Sequence, residues 1–177
     1  LCASSTDPDT TIDFGLTNFG KSIVKEMNKY GIMIDVSHAS DKSVFDILNL
    51  SATPIIASHS CCRSLRDIKR NLPDSLIKMI ADKGGVVQIC FLGEYLKEIP
   101  LNPIRDSLMS QLRKKYNGFQ NLSDSMMTKA NEEWYKIDET HPGELAEVKD
   151  VVDHIDHVVK IAGIDHVGIG TDFDGGG

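Results

Sequence analysis

The sequence predicts an α/β fold of about four parallel strands covered by helices. Three observations carry that expectation. Short apolar runs alternate with stretches of helical periodicity, and a glycine stands at most of the changeovers. The apolar runs are also nearly continuous rather than alternating, as in parallel strands buried on both faces.

Phe19, Ile23 and Met27 recur every four residues and predict an amphipathic helix over about 18–30, ended by a left-handed Gly31. Residues 32–36 (IMIDV) form the first strand. Ser40 caps a helix over about 41–50, whose apolar side carries Val44, Ile47 and Leu48. The second strand is 54–58 (PIIAS). Asn71 and Pro73 open a helix bearing Leu76, Ile77 and Ile80, which Gly84 closes ahead of a third strand over 85–91. Residues 92–145 break the rhythm and read as a helical excursion on the rim, containing Met126, Met127, Trp134 and Tyr135. A helix over about 147–162, stopped by Gly163, then leads to a last strand over 166–171.

Four such strands fit either an open doubly wound sheet or part of a (β/α)8 barrel. A whole barrel takes roughly 250 residues, whereas this chain has 177. It opens on Leu1 and stops soon after the last strand, so both ends read as cuts in a larger protein. A net charge of −7 excludes a nucleic-acid binder, which needs a basic face. No apolar run reaches the 18 residues or so that a membrane span needs. Cys61 and Cys62 are read as packing residues rather than a redox pair.

The chemistry-bearing residues fall at strand ends. His38 follows the first strand, His59 the second and Asp172 the last. Carboxyl ends of parallel strands are where α/β enzymes build their sites. If the strands persist, alternation puts His38 on a face with Ile34 and Val36, and His59 on a face with Ile55 and Ala57. Two imidazoles from neighbouring strands can share one divalent metal, and a carboxylate on the same rim can take a proton from water. Gly168 and Gly170 share the face of Asp172 and are expected to leave room beneath it.

Other candidates are weaker. His154 and His157 lie one helical turn apart, but exposed or capping roles are favoured over a metal pair. His166 sits at the wrong end of its strand, and His141 lies in a loop. Gly175-Gly176-Gly177 lacks the following helix that a phosphate cradle requires. No GxSxG elbow occurs, so Ser58 and Ser60 are read as hydrogen-bond donors supporting His59 rather than as nucleophiles.

Residues 34–40 (IDVSHAS), 56–60 (IASHS), 70–72 (RNL), 168–175 (GIGTDFDG) and the opening 15–20 (GLTNFG) together resemble the membrane (renal) dipeptidase family of amidohydrolase-type enzymes. The resemblance implies a partial (β/α)8 TIM-type barrel, with residues 1–177 as the C-terminal half and 92–145 as a helical insertion. It implies zinc-dependent hydrolysis of dipeptides with two zinc ions. By the same resemblance His38 and His59 ligate zinc, Arg70 holds the substrate's terminal carboxylate and Asp172 is the catalytic acid/base. The family's His-x-Asp pair, bridging Glu and a substrate-binding His would lie upstream of Leu1, so this chain alone is expected to be largely inactive. A homodimer, often exported or membrane-associated, is also implied.

Two other readings stay open on the residues. One is a related metal hydrolase acting on a cyclic amide or ester, from which Arg70 discriminates because only a free carboxylate needs it. The other is a non-catalytic, barrel-derived binding domain.

Overall fold

The computed structural model describes residues 1–7 and 13–173. Asp174, a second carboxylate two residues after Asp172 and an alternative proton acceptor on the sequence, lies outside the described residues, as does the run Gly175-Gly176-Gly177. Strands β1 (Ile34–Asp35), β2 (Ile55–Ser60), β3 (Val86–Ile89) and β4 (Val167–Ile169) alternate with helices. The helices are α1 (Asn18–Tyr30), α2 (Asp41–Leu50), α3 (Asp74–Asp82), α4 (Gly93–Leu96), α5 (Pro103–Lys115), α6 (Asp124–Thr140) and α7 (Val148–Ala162). The chain divides into two units, one of residues 1–98 with 146–177 and one of residues 99–145.

In the first unit the four strands are all parallel and lie in the order β1-β2-β3-β4. A doubly wound sheet reverses its strand order at a switch point, and no reversal occurs here. Sequential order is the arrangement of consecutive strands in a (β/α)8 barrel. Ile34, Val36, Ile55, Ala57, Val87 and Ile89 point to the helix-covered face and are buried with Val44, Ile77, Ile80 and Val158. Asp35, Ile56, Ser58, Val86 and Gln88 point the other way and keep part of their surface in water. No helix among the described residues is long and apolar enough to cross a membrane.

The helix ends form as their residues dictate. Thr17 accepts from the Gly20 amide at the start of α1, and Gly31 ends that helix at φ 69°. Ser40 accepts from the Ser43 amide at the start of α2. One detail of α1 differs from expectation: Phe19 is exposed, and the buried residues are Gly20 and Val24. A Cβ at position 20 would lie 2.2 Å from the Leu1 carbonyl oxygen, so the inward side of α1 is set by backbone contact rather than by its largest apolar residue.

Cys61, Cys62 and Cys90 are buried free thiols. Burial pushes all three up in pKa, Cys62 to about 12, so they pack as apolar residues and are not nucleophiles at neutral pH. His154 is neither exposed nor capping. It is buried in α7, where Nδ1 accepts from the Cys62 amide at 2.9 Å and Nε2 donates to the Leu96 carbonyl at 2.9 Å. Both nitrogens are spent on backbone, which leaves none for a metal. His157 instead meets the Asp74 carboxylate at 2.9 Å, and His166 meets the Gly85 carbonyl at 2.8 Å.

The second unit holds α5 and α6 around a small core of Leu112, Tyr116 and Ala130, joined by Phe119 and Trp134. The Tyr116 hydroxyl donates to Glu133 at 2.9 Å. Met126, Met127 and Tyr135 are exposed.

The His154 geometry predicts a pH dependence. Burial lowers its pKa in the fold, so the unfolded chain binds the proton more readily. The associated stability is complete above about pH 6.5, the unfolded value, and is lost as pH falls below it toward the folded pKa. Urea unfolding at stepped pH is expected to show that loss. His154→Leu should be less stable throughout by about 2–5 kcal/mol, because it strands a buried amide and a buried carbonyl, and its profile should be flatter over the same range.

Candidate active site

His38, His59 and Asp172 are gathered at the carboxyl ends of the strands. The rings of His38 and His59 are 5.0 Å apart between centroids and inclined by 57°. The Asp172 carboxylate acts electrostatically on His38. Each residue reaches the rim by a route that strand alternation does not describe.

β1 ends at Asp35, and His38 lies in a tight turn in which the Ala39 amide returns to the Val36 carbonyl at 3.0 Å. His38 takes φ 70°, a left-handed conformation that few non-glycine residues adopt. The N-terminal segment holds it there, since the Ser5 amide donates to the His38 carbonyl at 2.8 Å and the Ser4 hydroxyl at 3.1 Å. The expected sharing of a face by Ile34, Val36 and His38 is thereby replaced. Both β-type residues are buried, whereas His38 is exposed.

β2 runs through His59 to Ser60, but its register against β3 shifts between Ala57 and Ser60. Ala57 pairs with Val87 and Ser60 with Ile89, so β2 spends one extra residue there. Ile55, Ala57 and Ser60 are buried while Ser58 and His59 are only partly so. The irregularity, not alternation, turns His59 away from the face of Ile55 and Ala57. The His59 amide donates to the Ser37 hydroxyl at 3.0 Å, and its ring Nδ1 lies 2.7 Å from the Ser58 hydroxyl.

Asp172 follows β4 at φ 59°, a second left-handed non-glycine residue. Its position is set by pairing of the Gly170 amide with the Ile89 carbonyl at 3.0 Å and of the Phe91 amide with the Thr171 carbonyl at 3.2 Å. The Phe173 ring meets the edge of Phe91 at 5.8 Å. The room expected beneath Asp172 is filled: a Cβ at Gly170 would lie 1.8 Å from the Ser58 carbonyl oxygen. Glycine is required there because backbone occupies the space.

Arg70 is buried before α3. Its Nη2 donates to the His59 carbonyl at 2.7 Å and its Nη1 to the Ser60 hydroxyl at 3.1 Å, with the guanidinium 5.2 Å from the Tyr95 ring centre. Among the described residues its Nε finds no partner. The loop carrying it is pinned by a two-pronged Arg63–Asp41 contact at 2.5 and 2.8 Å. Asp35, Ser37 and Tyr95 contact the candidate site residues or the backbone that carries them, and sequence reasoning gave them no role. The Asp35-Val36-Ser37 spacing was the available signal, because it forms an Asx turn with the Ser37 amide on Asp35 at 2.9 Å.

The electrostatics suit a metal ligand. Partial desolvation of the otherwise exposed ring lowers the pKa of His38, and the positive Arg70 and neighbouring His59 lower it further, against partial opposition from Asp172 and Asp35. Metal ligation needs the neutral imidazole. Two imidazoles bound to one tetrahedral ion at about 2.1 Å have ring centres roughly 5 Å apart, which the observed spacing matches. Among the described residues no group of three or more His, Cys, Asp or Glu converges on one point. The pair therefore fits two of the positions around an ion.

The family model for membrane dipeptidase, peptidase family M19, matches residues 1–177. An uncharacterized dipeptidase, C965.12, of Schizosaccharomyces pombe is 30% identical over 164 residues, covering 92% of this chain and 29% of that protein. Dipeptidase tcpJ of Claviceps purpurea is 29% identical over 175 residues, covering 99% of this chain and 31% of that protein. The chain thus spans under a third of the length of these curated relatives. Among solved structures, the probable dipeptidase PvdM from Pseudomonas aeruginosa superposes with a TM-score of 0.69 at 34% identity, over 97% of this chain and 47% of that one. A metallo peptidase from Rhodobacter sphaeroides, liganded with a phosphinate mimic of the dipeptide L-Ala-D-Ala, superposes with a TM-score of 0.63 at 28% identity, over 91% of this chain and 34% of that one. The sheet is a run of strands from a (β/α)8 barrel, and the chain belongs to the membrane dipeptidase family, peptidase family M19.

Proposed function

We propose that this chain furnishes part of the active site of a zinc-dependent dipeptidase that holds two zinc ions. The observation that carries the reading is the His38–His59 pair, 5.0 Å apart at the strand ends. The dipeptide mimic bound by the Rhodobacter relative supports dipeptides as the substrate class. When bound, the metal supplies Lewis acidity toward the scissile carbonyl and draws a nucleophile from water. The protein's own residues do the rest. His38 and His59 hold an ion as neutral donors. Asp172 accepts the proton of the attacking water and returns it to the leaving amine. Arg70 receives the substrate's terminal carboxylate. Two of its five N–H groups are spent on Ser60 and His59, and the unpartnered Nε is buried and in want of an acceptor.

In the intact protein, His38→Ala and His59→Ala should each lower metal content and reduce dipeptide hydrolysis at least about 100-fold, with unfolding midpoints little changed. Metal analysis by mass spectrometry checks this, and unchanged stoichiometry in both variants would remove the pair from the metal site.

Arg70→Lys should raise KM for dipeptides more than for the same dipeptides amidated at the C-terminus, because lysine keeps the charge and loses the two-pronged geometry. Equal losses on both substrates would remove Arg70 from recognition of the carboxylate.

Asp172→Asn should lower kcat by about 10²–10⁴-fold with metal content intact. Asparagine tolerates the left-handed backbone at this position, so folding should survive. Near-normal kcat here, with collapse in Asp174→Asn, would transfer the role to Asp174.

A further inference from the structure

His59 is held on its far side by a chain of side chains that dictates which of its nitrogens carries the proton. The Asp35 carboxylate accepts from two backbone amides and from the Ser58 hydroxyl. Its Oδ1 takes the Ser37 amide at 2.9 Å and the Ser58 amide at 3.1 Å. Its Oδ2 takes the Ser58 hydroxyl at 2.5 Å. That hydroxyl has one proton to give and three neighbours: Asp35 Oδ2 at 2.5 Å, His59 Nδ1 at 2.7 Å and Ser37 Oγ at 3.4 Å. A carboxylate already accepting two amides offers only lone pairs to the hydroxyl, so the proton goes to Asp35. Ser58 must then accept from His59, which places the imidazole proton on Nδ1 and leaves Nε2 as the ring's only lone pair.

We propose that Asp35 is a positioning residue for the metal centre, acting through Ser58 to lock His59 in the Nδ1–H tautomer with Nε2 free to ligate. The inference rests on the reading of His59 as a metal ligand. Ser58 thereby acts as an acceptor toward His59, not the donor that sequence alone suggested. The contacts of Asp35 are to Ser37 and Ser58. Its part is orientation: an imidazole whose proton sits on the outer nitrogen is a ready donor, whereas the other tautomer must first rearrange.

The chain also has a defined way of failing. In Asp35→Asn the two backbone amides still require a carbonyl oxygen at the Oδ1 position, so the amide NH₂ group takes the place of Oδ2. It donates to Ser58, whose own proton must turn to His59 Nδ1, and the imidazole proton moves to Nε2. A single-atom exchange should therefore reverse the tautomer while preserving the shape of the network.

The test uses the intact, metal-free protein labelled with ¹⁵N-histidine, with His59→Gln to assign the signals. Long-range ¹H–¹⁵N correlation above pH 7.5 reads the tautomer directly. The expected result is Nδ1–H at His59 in the wild type, Nε2–H in Asp35→Asn, a mixture in Ser58→Ala, and the wild-type pattern restored in Ser58→Thr. Titration with zinc alone, in competition with a chromophoric chelator, should show affinity about 10–100-fold weaker in Asp35→Asn and Ser58→Ala than in wild type and Ser58→Thr. Nε2–H in the wild type, or an unchanged tautomer in Asp35→Asn, overturns the proposal. So does undiminished zinc affinity in a variant whose tautomer has changed. If His59→Gln binds zinc as tightly as wild type, the ligand reading fails instead, and the spectroscopic result still judges the hydrogen-bond chain.

Discussion

Between Ala57 and Ser60 strand β2 carries one more residue than its neighbour β3, and the rest of the site is arranged around that surplus. A regular strand would send Ser58 and His59 to opposite faces. Here both leave the buried face, while Ala57 and Ser60 stay on it. Every polar group of the irregular stretch then needs a partner outside the ladder. The Ser58 amide finds Asp35, the His59 amide finds Ser37, and the His59 carbonyl finds Arg70. The Ser58 carbonyl is packed so closely under β4 that only glycine fits at 170. The irregularity thus selects the serines, the aspartate, the buried arginine and the glycine, which occupy well separated stretches of sequence.

The same logic extends to the two left-handed non-glycine residues of the site, His38 and Asp172. A non-glycine residue at positive φ costs on the order of 1 kcal/mol or more, and both His38 and Asp172 pay it. Neither turn is held by its own residues alone. His38 is held by Ser4 and Ser5 from the start of the chain, and Asp172 by the pairing of Gly170 and Thr171 with β3. Because the surrounding ladder determines these conformations, the two side chains project past the strand ends, where a continued strand would not have put them.

Much of the fold was legible in local patterns because the forces involved are local. Gly31 closes α1, Ser40 caps α2, and Val44, Ile47 and Leu48 form a buried stripe, as the sequence indicates. The position of His38, His59 and Asp172 at the strand ends was equally legible, since each follows an apolar run. Their presentation was not. The surplus residue in β2 depends on β3, the turn at His38 depends on Ser4 and Ser5, and the burial of His154 depends on Cys62 and Leu96. These are contacts between distant segments, and no period of two or 3.6 residues encodes them. Phe19 shows the same limit from the other side: helical spacing identified it as apolar and inward, yet contact with the Leu1 carbonyl makes Gly20 the inward residue and leaves Phe19 in solvent.

Arg70 connects these threads, and its burial is what makes it effective. A guanidinium in water is screened and exerts little force on a neighbour. Enclosed by Tyr95, Ser60 and the His59 backbone, its charge is felt by His38, where it works with partial desolvation and with His59 to hold the imidazole in its neutral form. Asp172 and Asp35 pull the other way, with the smaller effect. The residue that fixes the His59 backbone thus also helps to keep the His38 lone pair available. Removing the arginine would loosen the geometry of one imidazole and raise the proton affinity of the other, so its contribution cannot be assigned to substrate recognition alone. Lysine in its place would preserve much of the field on His38 while surrendering the planar grip on His59, and the two effects would separate.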